Sequence, residues 1–206
     1  MIKNFINKKI FLFKIIFFYL ILSLHSYSDG LSKKNQFIVL GQDSATVKIK
    51  IFSSFTCPHC ANFHFNIVPE IKKEFVDTGK VQLIFIDFPL DQAAFNASKI
   101  LHCADKEKQI NLMDTIYEKQ KKWTNGTNIE DINKNLKALV KNLGISSDEF
   151  EKCLINDDIM DKILNGRIDA FKKYTIEATP TIVINEKKFE GSVNFKNIKK
   201  KIEKLI

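Results

Sequence analysis

Cys57 and Cys60 are separated by two residues in the run Thr56-Cys57-Pro58-His59-Cys60. At this spacing two sulfurs can form and break a bond with each other, frame a structural disulfide, or supply half of a zinc site. Zinc needs a second pair of ligands, and the candidates His64, His102, Cys103 and Cys153 stand at neither ribbon nor finger spacing. Redox exchange is therefore the leading reading. The thiolate is the reactive form of cysteine, and a helix N-terminus favours it, because the first N–H groups lack internal partners and the peptide dipoles add. Pro58 stands where a first helical residue would, a position at which its missing N–H costs nothing. Cys57 is then the exchanging sulfur, His59 can donate to it, and Cys60, one turn further on and more buried, resolves mixed disulfides.

The surrounding pattern supplies the strand and helix that this chemistry needs. Val47, Ile49 and Ile51 alternate with Lys48 and Lys50, the period of a strand, which runs on through Phe52 towards Phe55. A short apolar run, 36–40, predicts an edge strand before it. A helix follows the cysteines over Ala61 to Val76, with a kink at Pro69 and a stop before Gly79. Val81 to Phe88 is nearly all apolar, fitting a strand buried on both faces. From about residue 90 to 175 the spacing is helical throughout: Ala93–Cys103, Ile110–Trp123, Ile129–Leu143, a short helix opened by a capping box at Ser146 and Glu149, and Ile159–Tyr174. Thr181–Ile184 then reads as a strand, Phe189 as a second short one, and Asn194–Ile206 as a closing helix. The order is β-α-β, a helical insert, then β-β-α.

Residues 1–28 read as a secretory signal peptide: a lysine-bearing start, an uninterrupted apolar core from Ile15 to Leu24, and Ser26 and Ser28 placed like the small residues of a cleavage site. That core is too short to span a bilayer, which takes about 20 residues. The mature domain is then 29–206, in an exported compartment where disulfides persist. The charge of +8 includes four lysines of the leader, so the mature chain carries +4. Arg167 is the sole arginine, and no basic stripe is interleaved with aromatics, which argues against nucleic acid as a partner.

Far from the cysteines, Thr179-Pro180 precedes a strand, and X–Pro is the bond type that readily adopts the cis form. The run Phe52-Ser53-Ser54-Phe55-Thr56-Cys57-Pro58-His59-Cys60 with Ala178-Thr179-Pro180-Thr181 downstream resembles the DsbA family of thioredoxin-fold oxidoreductases, over about residues 35–206. The resemblance implies a thioredoxin-like α/β fold with a helical domain inserted between its halves, and an exported enzyme that passes disulfides to folding proteins. It implies no cofactor, unfolded or folding exported proteins as substrates, and a quinone-linked membrane thiol oxidase as reoxidising partner. Carried over, Cys57 exchanges with substrate, Cys60 resolves, His59 tunes Cys57, and Pro180 is cis beside the disulfide. Thr179 offers backbone pairing to an extended substrate. Where thioredoxin has an acid before its first cysteine stands Ile51; where the best-known DsbA has one after it stands His64, a candidate proton relay for Cys60.

Cys103 and Cys153 both fall in the helical insert. In an exported protein a bridge between them is expected, with two buried inert thiols as the alternative. The direction of exchange stays open at this level: a periplasmic oxidant, expected as a monomer, leads. A reductase or isomerase of the same fold is the alternative, and a chaperone without redox turnover the more distant one.

Overall fold

The structure, a computed structural model, describes residues 37–206; the signal peptide read for residues 1–28 lies outside the described residues. Five strands form one mixed sheet: β1 (Ile38–Leu40), β2 (Val47–Ser53), β3 (Val81–Asp87), β4 (Thr181–Ile184) and β5 (Lys187–Lys188), in the order β1-β3-β2-β4-β5. β2 and β3 run parallel from Val47↔Val81 to Ser53↔Asp87, and β4 lies antiparallel on the other side of β2, pairing Phe52 with Thr181. This is the thioredoxin-like arrangement with its helical insertion. Gly41, just after the edge strand, has a φ of +100°, and a Cβ there would sit 2.6 Å from the Val81 carbonyl; only glycine allows so close an approach.

Alternation along the strands divides the core in two. Ile49, Ile51, Leu83, Phe85, Ile182 and Ile184 join one cluster, while Phe52, Ile86, Val183, Phe88, Ala170 and Ile176 form another on the opposite face. α1 (Pro58–Asn66), α2 (Val68–Ile71) and a π-helical turn (Lys72–Val76) follow β2. The expected kink is a break at Ile67, with φ −115°. Pro69 has no N–H to give the Phe65 carbonyl, so the helix cannot continue through it. Burial of Phe63, Val68, Ile71 and Phe75 keeps all three pieces against the sheet.

Between β3 and β4 come α3 (Gln92–Cys103), α4 (Lys106–Glu118), α5 (Gln120–Trp123), α6 (Ile129–Lys141), α7 (Ser147–Leu154) and α8 (Asp157–Tyr174); α9 (Phe195–Glu203) closes the chain. The Ser146–Glu149 capping box is formed on both sides. Two details differ from the sequence expectation. The helix read as Ile110–Trp123 begins earlier and is interrupted at Lys119, whose ψ of +14° is not helical. The short second strand falls at Lys187–Lys188 instead of Phe189, although the Phe189 N–H still donates to the Ile182 carbonyl at 2.8 Å. None of the described helices is long and apolar enough to cross a membrane.

An exposed Cys103 at the end of α3 is disulfide-bonded to the buried Cys153 of α7, 50 residues away. Beside it, Asp87 at the end of β3 accepts from the Ser98 hydroxyl and from His102. Burial pushes the Asp87 carboxyl up, but His102 and Ser98 outweigh it and hold the group below its ordinary range. Closing a loop of this length is worth about 4 kcal/mol in the chain-entropy account. Replacing Cys103 and Cys153 by Ala should therefore lower the unfolding free energy by about that amount in urea titrations, with the fold retained.

Candidate active site

Strand β2 ends at Ser53, and the chain turns through Ser54-Phe55-Thr56 before α1 begins. The turn is fixed by the Cys57 N–H donating to the Ser54 carbonyl at 3.1 Å and by Thr56 Oγ1 donating to Asp91 Oδ2 at 2.6 Å. Asp91 also caps α3, accepting from the Ala94 N–H at 2.8 Å, so one carboxylate ties this turn to the start of the insert. Cys57 is the N-cap of α1 and Pro58 its first residue. Cys60 and Ala61 spend their N–H groups on the Cys57 carbonyl, at 3.1 and 3.2 Å. No side-chain oxygen caps this helix end. The Cys57 sulfur thus sits where an acceptor belongs and where negative charge is favoured.

Both cysteines are free thiols here. Cys57 Sγ donates to the Thr179 carbonyl at 3.3 Å, and the Thr179-Pro180 peptide is cis. The cis-proline loop therefore lies against the Cys57 sulfur, 122 residues away in the chain. Cys60 is 2% exposed. Burial pushes its thiol up to about 12, against weaker contacts from the Thr179 hydroxyl and the Ser54 backbone that favour the thiolate. The Thr179 hydroxyl is itself buried without a well-formed hydrogen bond.

His59 is exposed and makes no hydrogen bond to Cys57 in this structure, and Pro58 is exposed beside it. His64, by contrast, is buried. Its Nε2 donates to Asp114 Oδ1 at 2.6 Å, and its ring lies 5.0 Å from that of Tyr117. Tyr117 also packs on Phe55 at 4.8 Å. Burial first, and then the neighbouring Cys60 and Asp87, push the Tyr117 hydroxyl well above its ordinary value. Cys60 and His64 are one turn apart on α1, so their Cβ atoms are neighbours at about 5–6 Å. Asp114 and Tyr117, three apart on α4, present one face to them.

Two contributors carry no sequence signal. Asp114 is one of many acids in a charged helix. Gln120, at the start of α5, is 8% exposed and donates to the Phe55 carbonyl at 2.7 Å and to the Cys57 carbonyl at 3.1 Å. Only the break at Lys119 turns it inwards, and nothing in the apolar spacing foretells that break. A cleft of about 610 Å³ opens beside this turn, lined by Thr56, Pro58, Asp91, Gln120 and Ile132 among others. Among the described residues no three His, Cys, Asp or Glu side chains gather as a metal site.

A dithiol at a helix N-terminus, against a cis-proline loop in a thioredoxin-like fold, defines a thiol-disulfide oxidoreductase. Residues 33–204 match the family model described as Thioredoxin. A disulfide bond formation protein D of Bacillus cereus is 32% identical over 171 residues, 80% of this chain and 76% of that protein. Among solved structures, α-DsbA1 of Wolbachia pipientis matches 82% of this chain and 90% of its own at 31% identity, with a TM-score of 0.73. BdbD of Bacillus subtilis, in its oxidised form, matches 82% and 92% at 26% identity, with a TM-score of 0.70. The chain belongs to the thioredoxin family, as a DsbA-type thiol-disulfide oxidoreductase.

The raised Cys60 value has a direct consequence. In a Cys57→Ser variant, Cys60 should resist alkylation by iodoacetamide at neutral pH, and its rate should climb only as pH approaches about 12. A plateau near the ordinary thiol value of 9.0 would contradict the assigned burial.

Proposed function

We propose that this protein is an exported oxidant that donates the Cys57–Cys60 disulfide to folding proteins in the periplasm, acting as a monomer after removal of residues 1–28. The observation that carries this reading is the Cys57 sulfur at an uncapped helix end. That position favours the reduced, thiolate-bearing state, and stabilising the reduced state makes the disulfide a stronger oxidant. The reading also draws on the disulfide bond formation protein of Bacillus cereus.

In the forward reaction a substrate thiolate attacks Cys57 Sγ, and Cys60 leaves with the electron pair of the broken S–S bond. Buried Cys60 is a poor leaving group as a thiolate, so it takes a proton as it departs. We assign the relay to His64, one turn along α1 with Nε2 on Asp114, which takes up a solvent proton at Nδ1 and passes it to the departing sulfur. A second substrate thiolate then attacks the mixed disulfide, releasing Cys57 at the helix end. The substrate is oxidised by two electrons and the Cys57/Cys60 pair is reduced by two. The half-buried cis-proline loop receives the substrate backbone: the Thr179 carbonyl that faces Cys57 Sγ accepts from an extended segment, with Pro180 shaping the contact. His59, exposed at the mouth of the site, tunes Cys57 as charge develops there. A quinone-linked thiol oxidase of the membrane returns the pair to the disulfide.

Mixing the purified oxidised protein with a reduced, unfolded protein bearing two cysteines tests this reading. Disulfide should appear in the substrate in step with loss of the Cys57–Cys60 bond, Cys57→Ser should abolish transfer, and Cys60→Ser should trap a mixed disulfide at Cys57. Failure of the oxidised form to transfer, together with rapid insulin reduction by the reduced form, would establish a reductase instead.

A further inference from the structure

The insert reaches the catalytic turn through one buried amide. α5 is a single turn of helix: Trp123, 1% exposed, donates from Nε1 to the Ile116 carbonyl at 2.8 Å, and Thr124 returns both its N–H and its hydroxyl to the Gln120 carbonyl, at 3.0 and 2.7 Å. From this platform the Gln120 side-chain nitrogen serves two carbonyls of the catalytic turn, Phe55 and Cys57. The Cys57 carbonyl already accepts from Cys60 and Ala61, so Gln120 adds a third donor to the peptide that carries the reactive cysteine.

We propose that Gln120 is a positioning residue of the Cys57/Cys60 couple, which holds the catalytic turn from the helical insert and makes the disulfide more oxidising. Two physical effects act together. The two hydrogen bonds fix the turn between β2 and α1, so that Cys57 stays at the helix end in both redox states. The positive end of the amide N–H dipole also faces the peptide of Cys57, and so favours negative charge on a sulfur that carries it only in the reduced form. The cost of losing a donor inside a protein is comparable to a net hydrogen bond, which corresponds to a change of about three- to tenfold in the exchange equilibrium. This inference rests on Cys57/Cys60 being the redox couple. Because it concerns a difference between variants, it stands or falls whether the wild-type couple proves oxidising or reducing.

The test is the equilibrium constant of the active-site couple with glutathione for the wild type and three variants. Gln120→Leu should favour retention of the protein disulfide by about three- to tenfold. Gln120→Glu, nearly isosteric, keeps a donor only while protonated. It should lie close to wild type in acid and depart in the same direction as Leu once the carboxylate forms, by at least as much. Trp123→Phe loosens α5 without touching the catalytic turn, and should lower the thermal midpoint while leaving the equilibrium constant within twofold of wild type. An unchanged constant in both Gln120 variants would overturn the proposal. So would an equal shift in Trp123→Phe, which would assign the effect to the packing of α5. Should Gln120→Leu fail to fold, the pH-dependent departure of Gln120→Glu decides alone, and its absence is equally fatal.

Discussion

The pairing of β2 with its two neighbours is the constraint on which the rest of the molecule depends. β2 delivers the catalytic turn, and β4, lying antiparallel to it with Phe52 opposite Thr181, begins one residue after the cis proline. Two loops remote in sequence are thereby forced together at one end of the sheet, with Cys57 Sγ against the Thr179 carbonyl. Burial of both sheet faces locks that register, because a slip of one residue would exchange the two sets of side chains between faces. Val47, Ile49 and Val183 have no exposed surface at all, so the strands cannot shift without opening the core.

The two cysteines gain different partners from this single placement. Cys57, 8% exposed, caps a helix against the Thr179 carbonyl, while Cys60, one turn further along and 2% exposed, packs in the same core cluster. The helical insert completes the arrangement. Asp91 ties the turn from α3, Asp114 holds His64 of α1 from α4, and Gln120 ties the turn from α5, so three successive helices brace the turn and the helix it opens.

Much of this was legible in the sequence because it rests on local rules. The alternation at Val47–Ile51, the apolar run at Val81–Phe88, Pro58 after Cys57 and the Ser146–Glu149 box each encode a local choice that tertiary structure reinforces. Thr179-Pro180 was legible only in combination with the cysteines and with the resemblance they support. What escaped was polar and long-range. The inward turn of Gln120 depends on a helix break at Lys119 with no glycine or proline to announce it. The choice of Asp114 over its acidic neighbours depends on which face of α4 meets α1. The position of His59, exposed instead of bonded to the sulfur, depends on side-chain freedom at a helix end that spacing does not specify.

The most direct measurement of the central claim is the reduction potential of the Cys57/Cys60 couple, obtained by equilibration with glutathione buffers at fixed pH and scored by trapping the free thiols. An uncapped helix end that stabilises the reduced form predicts a potential near that of DsbA, about −120 mV. A value near that of thioredoxin, about −270 mV, would contradict the account and make the protein a reductant.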